Sequence, residues 1–245
     1  MSAEMLKMTG QQAISAALFQ AMEADPKVLV FGEDVADLEG GGVMGTTRGL
    51  SAKFGNMRVR STPIAEQSIM GAAIGAAMAG YKPVAEIMLM NFITVAMDMV
   101  VNHAAKLRFM SGGQTHVPIV IRTMTGAGFS TAGQHSDFLE AWFAHSAGLK
   151  VVMPATAADA YGLMRSAIDD PDPVIFIETG MSLFSPGEVA ADQGPIPLGK
   201  ARIAQRLGRA AGGNQIDAAR GQRTPQINQS SLVGHRKQRP ADFHF

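Results

Sequence analysis

The 245 residues are 47% hydrophobic and 17% charged, enough chain and apolar surface for one large core or two small ones in a soluble globular protein. Twenty-one basic and 21 acidic residues cancel, which gives no basis for expecting nucleic acid or a membrane surface as a partner, and the absence of cysteine excludes disulfides, thiolate metal sites and a thiol nucleophile. Residues 1–10 do not read as a signal peptide, and the longest apolar run, 69–81, is shorter than the roughly 20 residues needed to span a bilayer. The expected location is cytoplasmic, a compartment that a cysteine-free composition allows.

In chain order, Thr9-Gly10-Gln11-Gln12 reads as a capping box opening an amphipathic helix that ends near Asp25-Pro26. A short buried strand over 28–31 follows and ends at Gly32-Glu33-Asp34, where an open parallel sheet presents its chemistry. The loop Gly40-Gly41-Gly42-Val43-Met44-Gly45 formally matches a dinucleotide fingerprint, but it neither follows its strand directly nor opens a long helix. A short helix over 50–54, a strand over 58–60 and a helix over 65–80 come next. Gly71, Gly75, Ala72, Ala76 and Ala79 give that last helix small faces, open to close approach by a helix, another subunit or a flat ligand.

A strand over 83–89, one long helix over 91–110 and an apolar strand over 118–122 continue the β–α alternation of a parallel sheet covered by helices on both faces. The polar, Gly-rich segment 125–136 is too long for a plain connection and reads as a functional loop. A strand over 149–153, a helix over 156–168, the rigid acidic turn Asp169-Asp170-Pro171-Asp172-Pro173 and a last strand over 174–177 complete the pattern. From 205 to 245 seven basic residues face two acidic ones with few large apolar side chains, so a domain over 1–204 and a disordered basic tail are expected.

Several chemistries can be set aside. His103, His116, His135 and His145 lack short ligand spacing and there is no H-E-x-x-H, so no zinc site is expected. Gly128-Phe129-Ser130-Thr131-Ala132 nearly reproduces a nucleophile elbow, but Ala132 stands in place of the last glycine and no apolar helix follows Ser130. Three residues remain. Glu66, in Thr62-Pro63-Ile64-Ala65-Glu66, starts a helix of Gly, Ala, Met and Ile, where desolvation favours a protonated carboxyl suited to proton exchange. It reads equally as an acidic residue complementing the helix dipole. His135, in Gly133-Gln134-His135-Ser136, is placed either for proton transfer or as a structural histidine bonded to backbone. Phe92 is a core residue or a stacking surface for a planar ligand.

Phe31-Gly32-Glu33-Asp34-Val35, Thr62-Pro63-Ile64-Ala65-Glu66, Gly75-Ala76-Ala77-Met78-Ala79-Gly80, Met110-Ser111-Gly112-Gly113 and Gln134-His135-Ser136, in this order and spacing, resemble the β subunit of thiamine diphosphate-dependent 2-oxo acid dehydrogenases, the first component of the pyruvate, branched-chain 2-oxo acid and acetoin complexes. The resemblance covers roughly residues 9–203. It implies a transketolase-like, pyrimidine-binding fold. It implies that Glu66 hydrogen-bonds N1′ of the aminopyrimidine and favours the imino form that removes the thiazolium C2 proton. Decarboxylation of a 2-oxo acid, or cleavage of acetoin, then ends in acyl transfer to a lipoyl group. Phe92 would stack on the pyrimidine, Met88 would line its pocket, Glu33 would join a proton network near the subunit interface, and His135 would assist acyl transfer. Ile119, Ala167, Asp170 and Asp172 fall where family members hold potassium, partly through carbonyl oxygens.

The resemblance also implies what lies elsewhere. No G-D-G motif with a downstream Asn is present, so magnesium and the diphosphate belong mainly to an α subunit, in a heterotetramer with a second β subunit, docked to a lipoylated acyltransferase core. The family's C-terminal domain has no counterpart beyond about Ile203. A truncation or altered reading frame is therefore an expectation, and the alternative function is a non-catalytic fragment or assembly module that keeps the fold without forming the active tetramer.

Overall fold

The computed structural model describes residues 4–200; the end of the expected domain at 204 and the basic tail over 205–245 lie outside them. Strand β1 (Met5–Thr9) leads into helix α1 (Gly10–Ala24), and the expected capping box is present. The Thr9 hydroxyl accepts from the Gln12 amide at 3.2 Å while the Gln12 side chain accepts from the Thr9 amide at 2.9 Å. Then follow β2 (Val28–Gly32), α2 (Leu50–Phe54), β3 (Val59–Ser61), α3 (Glu66–Met78) and β4 (Lys82–Leu89). The second half holds α4 (Leu107–Met110), β5 (Val120–Thr125), α5 (Glu140–His145), β6 (Lys150–Val152), α6 (Ala157–Asp169), β7 (Val174–Thr179), α7 (Gly180–Phe184) and β8 (Pro186–Ala190).

Strands β2 to β7 form one parallel sheet in the order β3-β2-β4-β5-β7-β6. The alternation within each strand decides which layer covers it. Val30, Val84, Val120, Val174 and Phe176 pack with Ile14, Leu18 and Met22 of α1 and Leu163, Met164 and Ile168 of α6. Their neighbours Ala85, Ile121, Ile175 and Ile177 point the other way, to Ile69, Met70, Ala73 and Ile74 of α3. Two apolar layers thus sandwich the sheet, the arrangement that continuous apolar strands require.

Two elements differ from expectation. The single helix over 91–110 is instead a 3-10 segment, Met90–Ala96, then a π segment, Met99–Ala104, then α4. The buried side chains carry the reason: Met90, Ile93 and Ala96 recur every three residues, whereas Ala96, Val100 and Ala104 recur every four. The turn tightens and then widens to keep one face on the core. The last strand is not β7, because β8 follows and pairs antiparallel with β1, Met5 opposite Ala190. That ladder rests on backbone pairing between largely exposed residues, so it leaves no hydrophobic period to read.

Candidate active site

After β2 the chain crosses to β3 on one side and then returns to β4 on the other, so the direction of winding switches between β2 and β4. Open α/β sheets bind ligands in the crevice at the carboxyl ends of the strands at such a point. Glu33 follows β2, Glu66 follows β3, Met88 and Phe92 come from the end of β4, and His135 lies in the loop after β5. Five candidate residues spread from Glu33 to His135 therefore meet at one edge.

Glu33 is 8% exposed, and burial pushes its carboxyl above its ordinary value, with the charges of Glu66, Asp34 and Glu86 adding to the effect. Neither the Glu33 nor the Glu66 carboxylate has a hydrogen-bond or cationic partner among the described residues. Glu66 is half-buried at the first position of α3, where the cap is Ala65, which offers no side-chain bond. The segment leading to it is tied to the end of β2 by the Thr62 amide, which donates to the Gly32 carbonyl at 2.8 Å. The Thr62 hydroxyl oxygen is buried without a partner, as is Nδ1 of His135. Buried polar atoms are paired in the great majority of cases, so these two orphans are open to a partner from outside the described residues.

The His135 imidazole packs edge-on against Phe92, centroids 5.4 Å apart and planes at 78°. Asn91 donates to Asp137 at 2.6 Å, fastening the loop of His135 to the end of β4. Met88 is half-buried and lines a small space with Met44 and Met124. Beneath it lies a charged group that the sequence reading missed. Arg122 of β5 donates to Glu86 of β4 through Nη1 and to Glu178 of β7 through Nε and Nη2, all three side chains being at most 6% exposed. Burial pushes both glutamates up, opposed by the Arg122 charge. A charged residue in or at the end of each of three apolar runs was the available signal. The Gly-rich loop closes over this triad: Gly42 adopts φ +79°, and a Cβ there would come to 3.1 Å from a Glu86 carboxylate oxygen. The loop therefore serves packing, and helix α2 begins only at Leu50, unlike a dinucleotide fingerprint.

The structure brings Ile119, Ala167, Asp170 and Asp172 together at the opposite, amino edge, away from the other candidates. The Ile119 carbonyl accepts from the Val174 amide at 2.9 Å and the Ala167 carbonyl from the Asp170 amide at 3.4 Å. Lys150 Nζ donates to both Asp170 oxygens at 2.6 and 2.7 Å, and Arg108 pairs with Asp172 at 2.5 Å. Burial pushes the Asp172 carboxyl up, but the Arg108 bond and the Lys150 charge outweigh it and hold the carboxyl below its ordinary value. The exposed small face of α3, Ala72 and Gly75, is covered by none of the described residues.

A doubly covered parallel sheet presenting unpaired acids, an aromatic ring and an imidazole at its switch point defines an α/β cofactor-binding domain. The chain belongs to the family of the transketolase pyrimidine-binding domain, which matches residues 7–184. It is 46% identical over 201 residues to the β subunit of the pyruvate dehydrogenase E1 component of Rhizobium meliloti (strain 1021), covering 82% of this chain and 43% of that protein. It is 47% identical over 201 residues to the β subunit of acetoin:2,6-dichlorophenolindophenol oxidoreductase of Bacillus subtilis (strain 168), covering 78% of this chain and 59% of the relative. The fold is shared, at TM-score 0.63 and 21% identity, with a split-gene transketolase solved as an inactive β4 tetramer, over 80% of this chain and 58% of the other. The chain thus spans about half the length of the relatives it matches, and the resemblance read from its motifs is the one these comparisons find. Among the described residues no helix is long and apolar enough to cross a membrane.

Proposed function

We propose that this chain is the pyrimidine-binding β half of a thiamine diphosphate-dependent 2-oxo acid dehydrogenase first component, acting on a pyruvate-like 2-oxo acid or on acetoin. The observation that carries the reading is the pair of uncompensated acids, Glu66 and Glu33, beside the His135–Phe92 contact at the switch point. The residues fit the cofactor: an acid for a ring nitrogen, an aromatic face for a planar ring, and buried polar atoms that lack partners in this chain. Thiamine diphosphate, when bound, supplies the carbanion that protein side chains cannot.

Glu66 would hydrogen-bond the pyrimidine N1′, Phe92 would stack on the ring, Met88 would line its pocket, and Glu33 would join a proton network near the subunit interface. His135 would lie toward the cofactor and assist acyl transfer to a lipoyl group. Magnesium and the diphosphate fall to an α subunit, with a second β subunit completing a heterotetramer on a lipoylated acyltransferase core, in the cytoplasm. A potassium ion at the amino edge would draw on the carbonyls of Ile119 and Ala167, because Lys150 and Arg108 already neutralise the carboxylates of Asp170 and Asp172. The domain division is 1–204 followed by the basic segment 205–245.

The test is to mix the chain with an α subunit, thiamine diphosphate and magnesium and to follow C2 proton exchange. Exchange that Glu66→Ala abolishes supports the reading; exchange unchanged in that variant ends it. The rival reading is a non-catalytic fragment or assembly module that keeps the fold without forming the active tetramer. Light scattering of the mixture at micromolar concentration separates the two, since the fragment forms no complex.

A further inference from the structure

The loop that carries His135 is fastened beside the candidate site, at its neck and by the Asn91–Asp137 bond, and again at its tip, away from that site. At its neck, the Gly126 amide donates to the His135 carbonyl at 2.8 Å, and the Thr131 hydroxyl, which donates to the Gly126 carbonyl at 2.9 Å, also meets the Ser136 hydroxyl at 2.9 Å. Between these contacts the backbone is costly. Ser130 at φ +56° and Ala132 at φ +65° and ψ 175° occupy regions that non-glycine residues avoid, and such conformations persist only where surrounding structure over-determines them. The loop therefore needs a hold at its tip.

That hold is Phe129. Its ring lies directly on Gly180, the first residue of α7, so closely that a Cβ at Gly180 would overlap it, and it meets Phe184 edge-on with centroids 6.1 Å apart at 89°. Gly180 follows Thr179, which pairs with Thr125 at the end of β5, so the tip of the loop rests on the end of the neighbouring strand. The imidazole itself gives a second argument. Its Nδ1 is buried with no hydrogen bond, so the ring is aimed by packing and by its backbone rather than by a bonded partner.

We propose that Phe129 and Gly180 are positioning residues for His135: an aromatic knob in a glycine seat that fixes the 126–136 loop and, through it, the direction of the imidazole. Activity enters only through the role proposed above for His135, whereas the positioning itself can be read on this chain alone. Phe129→Ala empties the seat, Gly180→Ala expels the ring, and Phe129→Leu keeps an apolar knob.

Two measurements test it. On the isolated 245-residue chain, the rate of carbethoxylation of His135 by diethyl pyrocarbonate, read by peptide mass spectrometry, rises severalfold in Phe129→Ala and in Gly180→Ala and returns toward the parent rate in Phe129→Leu. The rates at His103 and His145 stay constant and serve as the folding control. In the assembly with an α subunit, Phe129→Ala slows acyl transfer to lipoamide by about 10- to 100-fold, the scale of a misplaced group, while Glu66-dependent C2 exchange stays within about twofold. An unchanged His135 rate in both Ala variants overturns the proposal, as does a parallel loss of exchange and acyl transfer. If His135→Ala itself leaves acyl transfer intact while the carbethoxylation rates shift as stated, the anchor stands and the role of His135 in acyl transfer falls.

Discussion

At the amino edge of the sheet Lys150, Arg108 and Lys82 pair with Asp170, Asp172, Asp25 and Asp169, whereas at the carboxyl edge Glu33 and Glu66 have no cationic partner among the described residues. Both edges are rich in acids, and pairing is what separates them. Paired acids hold turns and strand starts in place; at the other edge, burial raises the carboxyl of Glu33 above its ordinary value. Between them the Arg122 triad adds a third condition, two buried acids held on one buried cation.

If pairing is the distinction, substitutions at the two edges should act on different quantities. Glu66→Ala should reduce C2 proton exchange by about 10²- to 10⁴-fold and leave the urea midpoint nearly unchanged. A fall in stability with retained exchange would place Glu66 among the structural acids. Arg122→Met leaves Glu86 and Glu178 buried without a counter-charge and should cost about 3–5 kcal/mol, measured by urea unfolding. A cost below about 1 kcal/mol would mean that the triad is wetter than its burial indicates. Lys150→Met, at the amino edge, should cost about 1–3 kcal/mol with C2 exchange retained in the assembly.

The smallest effects have opposite pH signs. Asp172 has a lowered carboxyl, so its contribution is present above the ordinary aspartate value of 3.8 and is lost as pH falls through and below it. Asp172→Asn should therefore be less stable than the parent at pH 7, by about 1 kcal/mol, with the gap closing in acid. Glu33 has a raised carboxyl, so the folded chain is penalised once pH rises above the ordinary glutamate value of 4.5 and through the raised one. Glu33→Gln should be more stable than the parent at pH 7, by at most about 1 kcal/mol, and equal to it below pH 4.5. Unfolding curves for both variants between pH 3 and about pH 8 would expose the crossing.

Much of this was legible in the chain itself, for reasons that differ by element. Continuous apolar strands separated by helices announced the parallel sheet, and the Thr9 box of α1 is where local chemistry placed it. Glu66 and His135 could be singled out because their surroundings suit neither residue type. Their proximity to one shared crevice could not, since it depends on strand order, which the winding around β2 sets. The Arg122 triad escaped because its members are 36 and 56 positions apart and each looks like an isolated fault in an apolar strand. The 3-10 and π turns escaped because a helix-like pattern does not reveal a pitch that changes midway.

The β1–β8 ladder closes the described domain on itself. Pairing Met5 with Ala190 joins residues nearly a whole domain apart, so this contact can form only after β8 has left the ribosome. The sheet and its two helical layers can assemble without it. The ladder then acts as a latch of high contact order, set last and released first. Amide hydrogen exchange should find Lys7 and Val189 opening well below the global unfolding energy while Ile121 and Ile175 open only with it.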